Sequence, residues 1–330
     1  MARGARTLRL SVIVVTHLGG DWLRRSLASL VGQLSELDEL IVVVSAEPGQ
    51  ADLDSLPPCI LLELGHNPHY AAAANAGLAR AQGQWLLVLN DDTCADPDFV
   101  AELMAAAVAP GMYQPRILLA DGTGRLDNAG HGLLPDGFNW AIGREDAGQD
   151  YGEAGTVGAC SGAAFLVHRA VLDRIGVFDE DLVAYGEDVD LSLRAKRAGF
   201  ALRYVPQARI QHALGASQGR FSEQKVFWVE RNRVRVALRS MPRGALVFWP
   251  AFAGARVGLL MLARAQGKGW SAKAPNSAIP AALKGILAGV RLSPDALNKR
   301  RADQAHWSTS EATMWQHIWQ HRVRWRDLSR

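Results

Sequence analysis

The sequence contains little cysteine, which argues against a disulfide-rich or zinc-stapled fold. Its 330 residues include three cysteines, Cys59, Cys94 and Cys160, whose spacing matches neither paired cysteines nor a metal site. Hydrophobic residues make up 48% of the chain and charged residues 21%, a balance typical of a globular protein with a substantial core. We therefore expect reduced thiols and a cytosolic setting.

A long hydrophobic run is missing from the N-terminal region. The basic segment MARGARTLRL leads into only six residues, SVIVVT, before His17, which is too short and too β-branched for a signal peptide. No internal repeat or low-complexity segment is evident. The length allows one large domain with an extension, or two domains, and we expect the protein to stay in the cytoplasm.

Acidic residues are scarce in the last hundred positions. Residues 231–330 contain 18 Lys and Arg against 4 Asp and Glu, a net charge of +14, whereas the first 230 residues carry −11. Seven of the ten tryptophans lie from Trp228 onward. A basic, Trp-rich segment joined to an acidic body predicts a polyanionic partner, either nucleic acid or an anionic membrane surface.

The first half of the chain alternates strand and helix patterns, which predicts an α/β fold with a mostly parallel sheet and helices on its faces. The predicted strands are the continuous apolar runs 9–16, 39–45, 59–64 and 85–90. The predicted helices are 21–34 and 69–83.

The second half is less regular. Residues 119–137 are rich in Gly, Asp and Asn and predict hairpins or loops over the sheet edge. The later predicted elements are a strand at 162–169, a helix at 187–200 and two short strands, ALRYVP and ARIQHA. From about Phe221 the pattern is helical and basic, and we divide the chain into a body at 1–242 and a helical extension at 243–330.

Polar residues stand directly after two of the predicted strands. Thr16 and His17 follow the first strand, and Asn90, Asp91 and Asp92 follow the fourth. Open α/β sheets bind ligands at the carboxyl ends of their strands, so these side chains can converge on one crevice. Carboxylates there suit a hard divalent cation that bridges to substrate phosphates. The segment is also typical of a plain strand end and polar turn.

Four segments, in chain order, resemble the family 2 glycosyltransferases, which have the GT-A fold. They are SVIVVTHLG, GHNPHYAAAANAGLARAQGQWLLVLNDDT, CSGAAFLVHRAVLDRIGVFDEDLVAYGEDVDLSLRAKRAGFALRYVPQARIQH and ERNRVRVALRSMP. The match covers roughly residues 9–242, and its most specific part is the segment around Glu187 and Asp188. The branch most resembled is rhamnosyltransferase-like and acts on lipid-linked or surface polysaccharide. The resemblance implies a Rossmann-like, mostly parallel sheet and a catalytic domain over 1–242.

The resemblance implies roles for two acidic motifs. Asn90-Asp91-Asp92 stands in place of the family's D-x-D motif, so Asp92 is the expected ligand of Mg²⁺ or Mn²⁺ beside the nucleotide sugar. Asp188 stands at the position of the general base that deprotonates the acceptor hydroxyl, and Glu187 is the second choice. The alternative is that these acids merely complement the N-terminus of a helix.

Further roles carried over by resemblance concern His212 and the nucleotide. His212 matches a histidine that completes the metal shell in some relatives, although a lone histidine is also often structural or exposed. The other positions assigned to the nucleotide are Thr16, His17, Asn67, Asn75 and Gly77, the last three near the start of a helix, where phosphate is attracted. The alternative for the Ala-rich helix is close packing on the sheet. Trp140 and the 119–145 loops are expected toward the acceptor.

The chain departs from the family pattern after the second strand. The family usually has an Asp there that holds the base, whereas this segment reads IVVVSAEPGQAD and offers Ser45 and Glu47. Ser45 can contact a base edge with less selectivity, so the base stays open between dTDP- and UDP-sugars, with dTDP-rhamnose as the leading donor. One alternative is a catalytically silent nucleotide-sugar-binding relative. Another is a sugar-phosphate nucleotidyltransferase. Such an enzyme is expected to have a Gly-rich, basic loop after the first strand, and the segment THLGGDW does not resemble that loop.

The most apolar part of the extension is residues 244–270, which Pro250 and Arg256 interrupt. A spanning helix needs about 20 apolar residues, so an interfacial helix is favoured over a membrane span. Cations near an anionic leaflet add about 1 kcal/mol each. The alternative is a helical subdomain packed on the body. Nucleic-acid binding explains the charge but not the apolar stretch.

These observations predict the partners and location of the protein. We expect a nucleoside-diphosphate sugar donor, a saccharide or polyprenyl-linked acceptor and no nucleic acid. We expect a cytoplasmic protein that is peripheral at the inner face of the plasma membrane through its C-terminal extension.

Overall fold

A computed structural model describes residues 8–213, 222–268, 275, 277–324 and 327. The strands are β1 (Leu10–Thr16), β2 (Asp38–Val44), β3 (Ile60–Glu63), β4 (Trp85–Asn90), β5 (Thr93–Ala95), β6 (Gly111–Leu119), β7 (Leu126–Asn128), β8 (His131–Leu133), β9 (Asn139–Ala141), β10 (Gly155–Thr156), β11 (Ala164–His168) and β12 (Ala201–His212). The helices of the body are α1 (Asp21–Val31), α2 (Tyr70–Arg80), α3 (Phe99–Ala106), α4 (Arg169–Ile175), α5 (Glu187–Arg197) and α6 (Glu223–Ser240). The helices of the extension are α7 (Arg243–Val247), α8 (Trp249–Ala265), α9 (Ala278–Arg291), α10 (Ser293–Asp303) and α11 (Glu311–Gln320).

One large sheet organises the body, in the order β10-β12-β6-β11-β4-β1-β2-β3. Strands β3, β2, β1 and β4 are parallel to one another, and β11 lies antiparallel between β4 and β6. Strand β12 runs parallel to β6, while β8 and β9 form a separate hairpin. The predicted α/β architecture with a mostly parallel sheet is therefore confirmed.

Helices cover both faces of this sheet, which explains why its central strands are apolar throughout. Ile13 and Val15 of β1 pack in one core with residues of α2, α4 and α5. Val12 and Val14 point the other way, into a second core with α1 and α3. A strand buried on both faces needs a continuous apolar run rather than an alternating one.

Two segments differ from the sequence prediction. Strand β6 lies in a part of the chain for which no strand was predicted, and the two short strands predicted at 201–213 form the single strand β12. Strand β12 stays continuous because it pairs with β6 along its length, with a register shift between Val205 and Arg209. The predicted hairpin in the Gly-rich region is present as β8 and β9.

The extension packs on the body through an apolar cluster and a short β-bridge. Met314 and Ile318 of α11 are buried with Leu193 of α5. The Leu133 amide donates to the carbonyl of His321 over 2.9 Å, and the Val323 amide donates to the carbonyl of Leu133 over 3.1 Å. The division of the chain near residue 242 stays a prediction, but these contacts join the two parts on either side of it.

Many cations of the C-terminal region are paired inside the molecule. The Arg256 guanidinium lies 2.7 Å from Asp136 and 3.1 Å from Glu230, and is buried. Arg239 and Lys299 both pair with Asp179. Many of the cations that cause the charge asymmetry therefore form ion pairs within the molecule, which agrees with the alternative that the extension is a helical subdomain packed on the body.

Two tryptophans of the extension are half-buried and make polar or cation–π contacts within the molecule. Trp307 lies between the guanidinium groups of Arg197 and Arg300, 4.1 and 4.8 Å from its ring centroid. The Trp249 indole donates to the carbonyl of Asp136 over 3.1 Å. In the described part of the chain, no helix combines the length and apolar character needed to cross a bilayer.

Candidate active site

The carboxyl ends of β1 and β2 are tied together by three polar residues. Thr16 and Ser45 are buried, and the Ser45 hydroxyl donates to the carbonyl of Thr16 over 3.1 Å. The Nδ1 atom of His17 lies 2.7 Å from the carbonyl oxygen of Ser45. The structure therefore brings together Thr16, His17 and Ser45, although the Ser45 hydroxyl already has a backbone partner.

The end of β4 meets this group because β4 is the other neighbour of β1 in the sheet. The Thr16 hydroxyl donates to a carboxylate oxygen of Asp91, and the amide of Gly19 donates to the Thr16 hydroxyl over 2.9 Å. Asn90 is held by its backbone amide, which donates to the carbonyl of Ala163. Burial raises the pKa of Asp91 to about 6, a shift that the nearby Asp92 charge reinforces and the hydroxyl of Thr16 opposes.

Asp92 and His212 come together although 120 positions separate them, because β5, just after Asp92, pairs antiparallel with the end of β12. The Nε2 atom of His212 lies 3.2 Å from Oδ1 of Asp92, and its Nδ1 atom lies 2.8 Å from Oδ2 of Asp127. Burial lowers the pKa of His212, but the carboxylates of Asp127 and Asp92 outweigh it and raise the pKa to about 10. This imidazole is therefore fixed in orientation by two carboxylates.

The chemistry of these groups suits a divalent cation. Oδ1 of Asp92 is buried and has no hydrogen-bond partner among the described residues, and it lies beside Nε2 of His212. Asp127 holds the opposite ring nitrogen, an arrangement that orients histidine ligands in metal sites. Within the described ranges no group of three or more His, Cys, Asp or Glu side chains has metal-binding geometry. Asp92 and His212, the latter after loss of its Nε2 proton to solvent, would thus supply two ligands, and water or substrate oxygens the rest.

A second pair of adjacent acids lies at the first turn of α5. Oδ2 of Asp188 accepts from the amide of Gly162 over 2.7 Å, and Oδ1 accepts from the amide of Val189 over 2.8 Å. The Nε2 atom of His131 lies 3.5 Å from Oδ2 of Asp188. Glu187 is buried, and among the described residues its Oε2 atom has no hydrogen-bond partner.

The two acids of this pair differ in protonation. Burial, reinforced by the charge of Asp188, raises the pKa of Glu187 to about 8. Burial also acts to raise the pKa of Asp188, but His131 and the backbone amides outweigh it and lower that pKa overall. At neutral pH Asp188 is therefore the ionised member and Glu187 the protonated one.

Tyr70, at the start of α2, shows that the two acid pairs share one crevice. Burial raises its pKa, and the charges of Glu187, Asp188, Asp92 and Asp91 raise it further. Its hydroxyl donates to the carbonyl of Gly162 over 3.0 Å, on the residue whose amide holds Asp188. The phenol thus lies near all four carboxyl groups.

A strained turn places the acids at the head of α5. Val183 and Tyr185 have φ angles of 66° and 67°, a region that residues other than glycine rarely adopt. The buried amide of Asn232, on α6, donates to the carbonyls of Leu182, Ala184 and Tyr185 over 2.7 to 2.8 Å. Helix α6 therefore holds the turn that aims Glu187 and Asp188.

Two of the residues assigned to the nucleotide make structural contacts away from this crevice. The Asn75 amide bonds to both backbone groups of Phe178 over 3.0 Å and to the carboxylate of Glu180 over 2.8 Å. Gly77 faces the sheet, where an added Cβ would lie 2.5 Å from a methyl group of Ile13. Asn75 and Gly77 thus serve the close packing that was the alternative for this helix.

The remaining predicted residues lie near the crevice but not at its centre. Asn67 is exposed on the loop after β3, and its side-chain oxygen accepts from the amide of His69 over 2.9 Å. Trp140 is half-buried on β9, in the same hairpin as His131, and its ring stacks on Phe138. Trp140 is therefore on the hairpin that reaches Asp188.

Four residues of the site were not predicted. Asp127 and His131 lie in the Gly-rich stretch DNAGHG, which was interpreted only as hairpins or loops. Tyr70 and Asn232 lie inside segments that carried the family resemblance, but neither was given a role. The feature of the sequence that could have indicated Asp127 and His131 was the presence of an Asp and a His close together in a region without apolar periodicity.

The sequence matches a known family over half its length. The model of the family described as "Glycosyl transferase family 2" matches residues 11–176. The N-acetylglucosaminyl-diphospho-decaprenol L-rhamnosyltransferase of Mycobacterium tuberculosis is 29% identical over 243 residues, covering 64% of this chain and 78% of that protein. The O-antigen biosynthesis protein RfbC of Myxococcus xanthus is 28% identical over 232 residues, covering 64% of this chain and 18% of that protein.

Solved structures show the same fold. GalNAc-T7, solved with UDP, GalNAc and Mn²⁺, superposes with a TM-score of 0.55 and 19% identity. The match covers 71% of this chain, which spans about half the length of that structure (48%). The mannosyltransferase PcManGT of Pyrobaculum calidifontis, in complex with GDP-Man and Mn²⁺, has a TM-score of 0.52 and 16% identity, covering 90% of this chain and 85% of that one. The expected GT-A fold is thus confirmed, and the chain belongs to glycosyl transferase family 2.

Proposed function

We propose that this glycosyltransferase is metal-dependent and inverting, and transfers L-rhamnose from a nucleoside-diphosphate sugar to a saccharide or polyprenyl-linked acceptor in cell-surface polysaccharide synthesis. The observation that carries the proposal is the position of Asp92. Its buried Oδ1 atom lacks a hydrogen-bond partner within the described ranges and lies beside an imidazole that Asp127 orients. Asp188, whose pKa is lowered, accepts from the amide of Gly162, and the hydroxyl of Tyr70 donates to the carbonyl of the same residue.

The chemistry follows from these positions. Asp92 and His212 would hold a Mg²⁺ or Mn²⁺ ion, which when bound neutralises charge on the nucleoside-diphosphate leaving group. The Asp188 carboxylate accepts the proton of the acceptor hydroxyl as that oxygen bonds to the anomeric carbon. The bond from the anomeric carbon to the diphosphate oxygen breaks with its electron pair, and the single displacement inverts the anomeric centre.

Protonated Glu187 contributes in a different way. Its Oε2 atom has no hydrogen-bond partner within the described part of the chain, so a protonated carboxyl group can donate a hydrogen bond from this atom to a ligand hydroxyl. His131, 3.5 Å from Asp188, lies where it stabilises the ionised base. In this proposal Asp188 accepts the proton of the acceptor hydroxyl, and Glu187 positions the substrate through a hydrogen bond.

The choice of donor and acceptor is supported by the relatives. The Mycobacterium tuberculosis relative is named as a rhamnosyltransferase acting on N-acetylglucosaminyl-diphospho-decaprenol, and the solved structures hold UDP or GDP-mannose with Mn²⁺. The Thr16, His17 and Ser45 group, with Asn90 and Asp91, is the proposed nucleotide side. We propose dTDP-rhamnose as the donor and a UDP-sugar as the second candidate.

A panel of nucleotide sugars tests the proposal. Full-length protein is incubated with Mn²⁺ and dTDP-rhamnose, UDP-sugars or GDP-mannose, and both the thermal midpoint and transfer to a polyprenyl-diphosphate N-acetylglucosamine are measured. We expect dTDP-rhamnose with Mn²⁺ to give the largest stabilisation and the only rapid transfer. Stabilisation without turnover for every donor would instead support a silent nucleotide-sugar-binding relative. Release of inorganic diphosphate from a nucleoside triphosphate and a sugar phosphate would support a nucleotidyltransferase.

A further inference from the structure

Helix α9 has its small residues inside and its large residues outside. The face that packs on α6 consists of Ala278, Ala281, Gly285 and Gly289, all buried. Four of the five large apolar residues of the helix, Ile279, Leu283, Leu287 and Val290, have exposed fractions of 50 to 69%, and the fifth, Ile286, is half-buried. A helix on a water-exposed surface normally has the opposite arrangement, with large apolar side chains toward the core.

The inner face of α9 lies so close to α6 that its glycines leave no room for a larger side chain. A Cβ atom at Gly285 would lie 2.5 Å from the carbonyl oxygen of Phe227, and one at Gly289 would lie 2.7 Å from that of Arg231. Small residues that let two helices approach closely are typical of helix pairs in an apolar solvent, where large side chains face the lipid.

A second exposed apolar strip lies on α7 and α8. Helix α8 is attached to the body through buried Arg256 and Ala263, while Phe248 and Met261 are 61% and 60% exposed. Helices α8 and α9 both contact α6 at Glu230, through the guanidinium of Arg256 and the backbone of Gly285. The two strips therefore belong to helices that flank the same turn of α6.

The charges around these strips are of one sign. The sequence contains no Asp or Glu between Glu230 and Asp295. Lys268, Lys284 and Arg291 are exposed and form no salt bridge within the described part of the chain. These cations are free to meet an anionic surface, unlike the paired cations of α6 and α10.

We propose that the exposed residues of α7, α8 and α9 form a docking surface that inserts into one leaflet of an anionic lipid bilayer. The apolar side chains enter the acyl boundary, and the three free cations contact acidic headgroups. The inference deepens the proposed function, because a polyprenyl-linked acceptor lies in such a membrane.

The docking surface is connected to the acid pair. Leu260 of α8 packs with Phe138 and Trp140 of the β8–β9 hairpin. The first residue of that hairpin, His131, lies 3.5 Å from Asp188. An acceptor whose lipid stays in the leaflet beneath α8 would thus present its sugar along the hairpin toward the base.

Vesicle co-sedimentation of the full chain tests the proposal. The vesicles contain equal parts phosphatidylglycerol and phosphatidylethanolamine, or phosphatidylcholine alone. We expect Leu283→Gln/Leu287→Gln to lower the partition coefficient on anionic vesicles by about tenfold or more, since two leucines lose their burial in the acyl region. The matched control Leu61→Gln/Val108→Gln changes two exposed apolar residues of the body and should leave binding unchanged.

Charge is tested separately. We expect Lys284→Gln/Arg291→Gln to weaken binding to anionic vesicles by roughly tenfold while leaving the weak binding to phosphatidylcholine unchanged. Both α9 variants alter only exposed side chains, so thermal midpoints equal to wild type should confirm folding. Equal vesicle binding by wild type and both variants would overturn the proposal.

Two further measurements separate the alternatives. Light scattering without vesicles should give the same molar mass for wild type and Leu283→Gln/Leu287→Gln; a dimer that this variant dissociates would show that a second copy covers the surface and overturn the proposal. Transfer to a short-chain, water-soluble acceptor should be equal in both proteins. Vesicle binding by a protein that transfers no sugar would contradict the proposed function and leave the docking surface supported.

Discussion

Two pairs of adjacent carboxyl groups face the same crevice, Asp91 and Asp92 after β4 and Glu187 and Asp188 at the start of α5. Asp92 lies 3.2 Å from Nε2 of His212, and Asp188 accepts from two backbone amides. Asp91 is half-buried and accepts from the hydroxyl of Thr16, whereas Glu187 is buried and its Oε2 atom has no hydrogen-bond partner within the described residues. Neighbours in sequence thus have different surroundings.

This difference teaches that position in a motif does not decide the protonation of an acid. Burial raises the pKa of Asp91 to about 6 and that of Glu187 to about 8, whereas Asp188 has a lowered pKa. Adjacent carboxyl groups disfavour each other's ionisation, so at the start of α5 the acid that accepts from backbone amides is the more easily ionised of the two. Four changes test this division.

The largest effect is expected for Asp188→Asn. Removing the ionised base should lower the transfer rate by roughly 100-fold to 10,000-fold, while the affinity for the nucleotide sugar stays nearly unchanged. Glu187→Gln should cost less than about tenfold at pH 7, because that side chain is already protonated. Initial rates and donor titrations of both variants provide the measurement, and a larger loss in Glu187→Gln would reverse the assignment.

Asp127→Asn should weaken cation binding by about 10-fold to 100-fold, since the imidazole of His212 would lose the carboxylate that orients it. Titration of Mn²⁺ followed by calorimetry measures this without any turnover. Asp121→Asn removes an exposed carboxylate from the neighbouring loop, where it pairs with Arg125, and serves as the matched control. Equal Mn²⁺ affinity in the two variants would contradict a metal role for His212.

Stability against pH sharpens the account of Glu187. Its folded-state pKa of about 8 lies above the ordinary value of 4.5, so its contribution to stability is present at low pH and is lost as the pH rises through 8. Glu187→Gln removes this loss. Relative to wild type, the variant should gain on the order of 4 kcal/mol in free energy of unfolding between pH 5 and pH 9. Parallel urea-unfolding profiles across that range would show that Glu187 is not the protonated acid.

The smallest effect is expected for Tyr70→Phe. The phenol donates to the carbonyl of Gly162, whose amide holds Asp188, so its loss loosens the base without removing it. We expect a threefold to tenfold decrease in kcat, in line with one hydrogen bond, and an unchanged KM for the donor. A change confined to the KM for the donor would show that Tyr70 serves the nucleotide side instead.

The parallel half of the fold could be predicted because its central strands β1, β2 and β4 are largely buried on both faces. β1, β2 and β4 are uninterrupted apolar runs, and the structure places them as expected. Strand β6 escaped prediction because Gln114 and Pro115 interrupt its apolar pattern. Gln114 is tolerated in the core since its amide groups bond to Ser161 and to the carbonyl of Pro115, partners that no local pattern reveals.

The family resemblance could indicate single side chains of the site, but it did not indicate the residues that hold those side chains in place. The resemblance pointed to Asp92 and His212, and the structure places them 3.2 Å apart. Asp127 and His131 could not be found in this way, because only the pairing of β7 with β6 and the fold of the β8–β9 hairpin bring them near those residues. Asn75 was assigned from its place near a helix start, but its neighbours Phe178 and Glu180 use its amide.

The bridge between Leu133 and the residues around Arg322 has a consequence for how the enzyme is made. The hairpin that carries His131 lacks its neighbouring strand until His321 and Val323 have left the ribosome. The proposed base and metal ligands all precede this bridge in the chain. Completion of the wall beside them therefore waits for a long-range contact between Leu133 and residues 321–323.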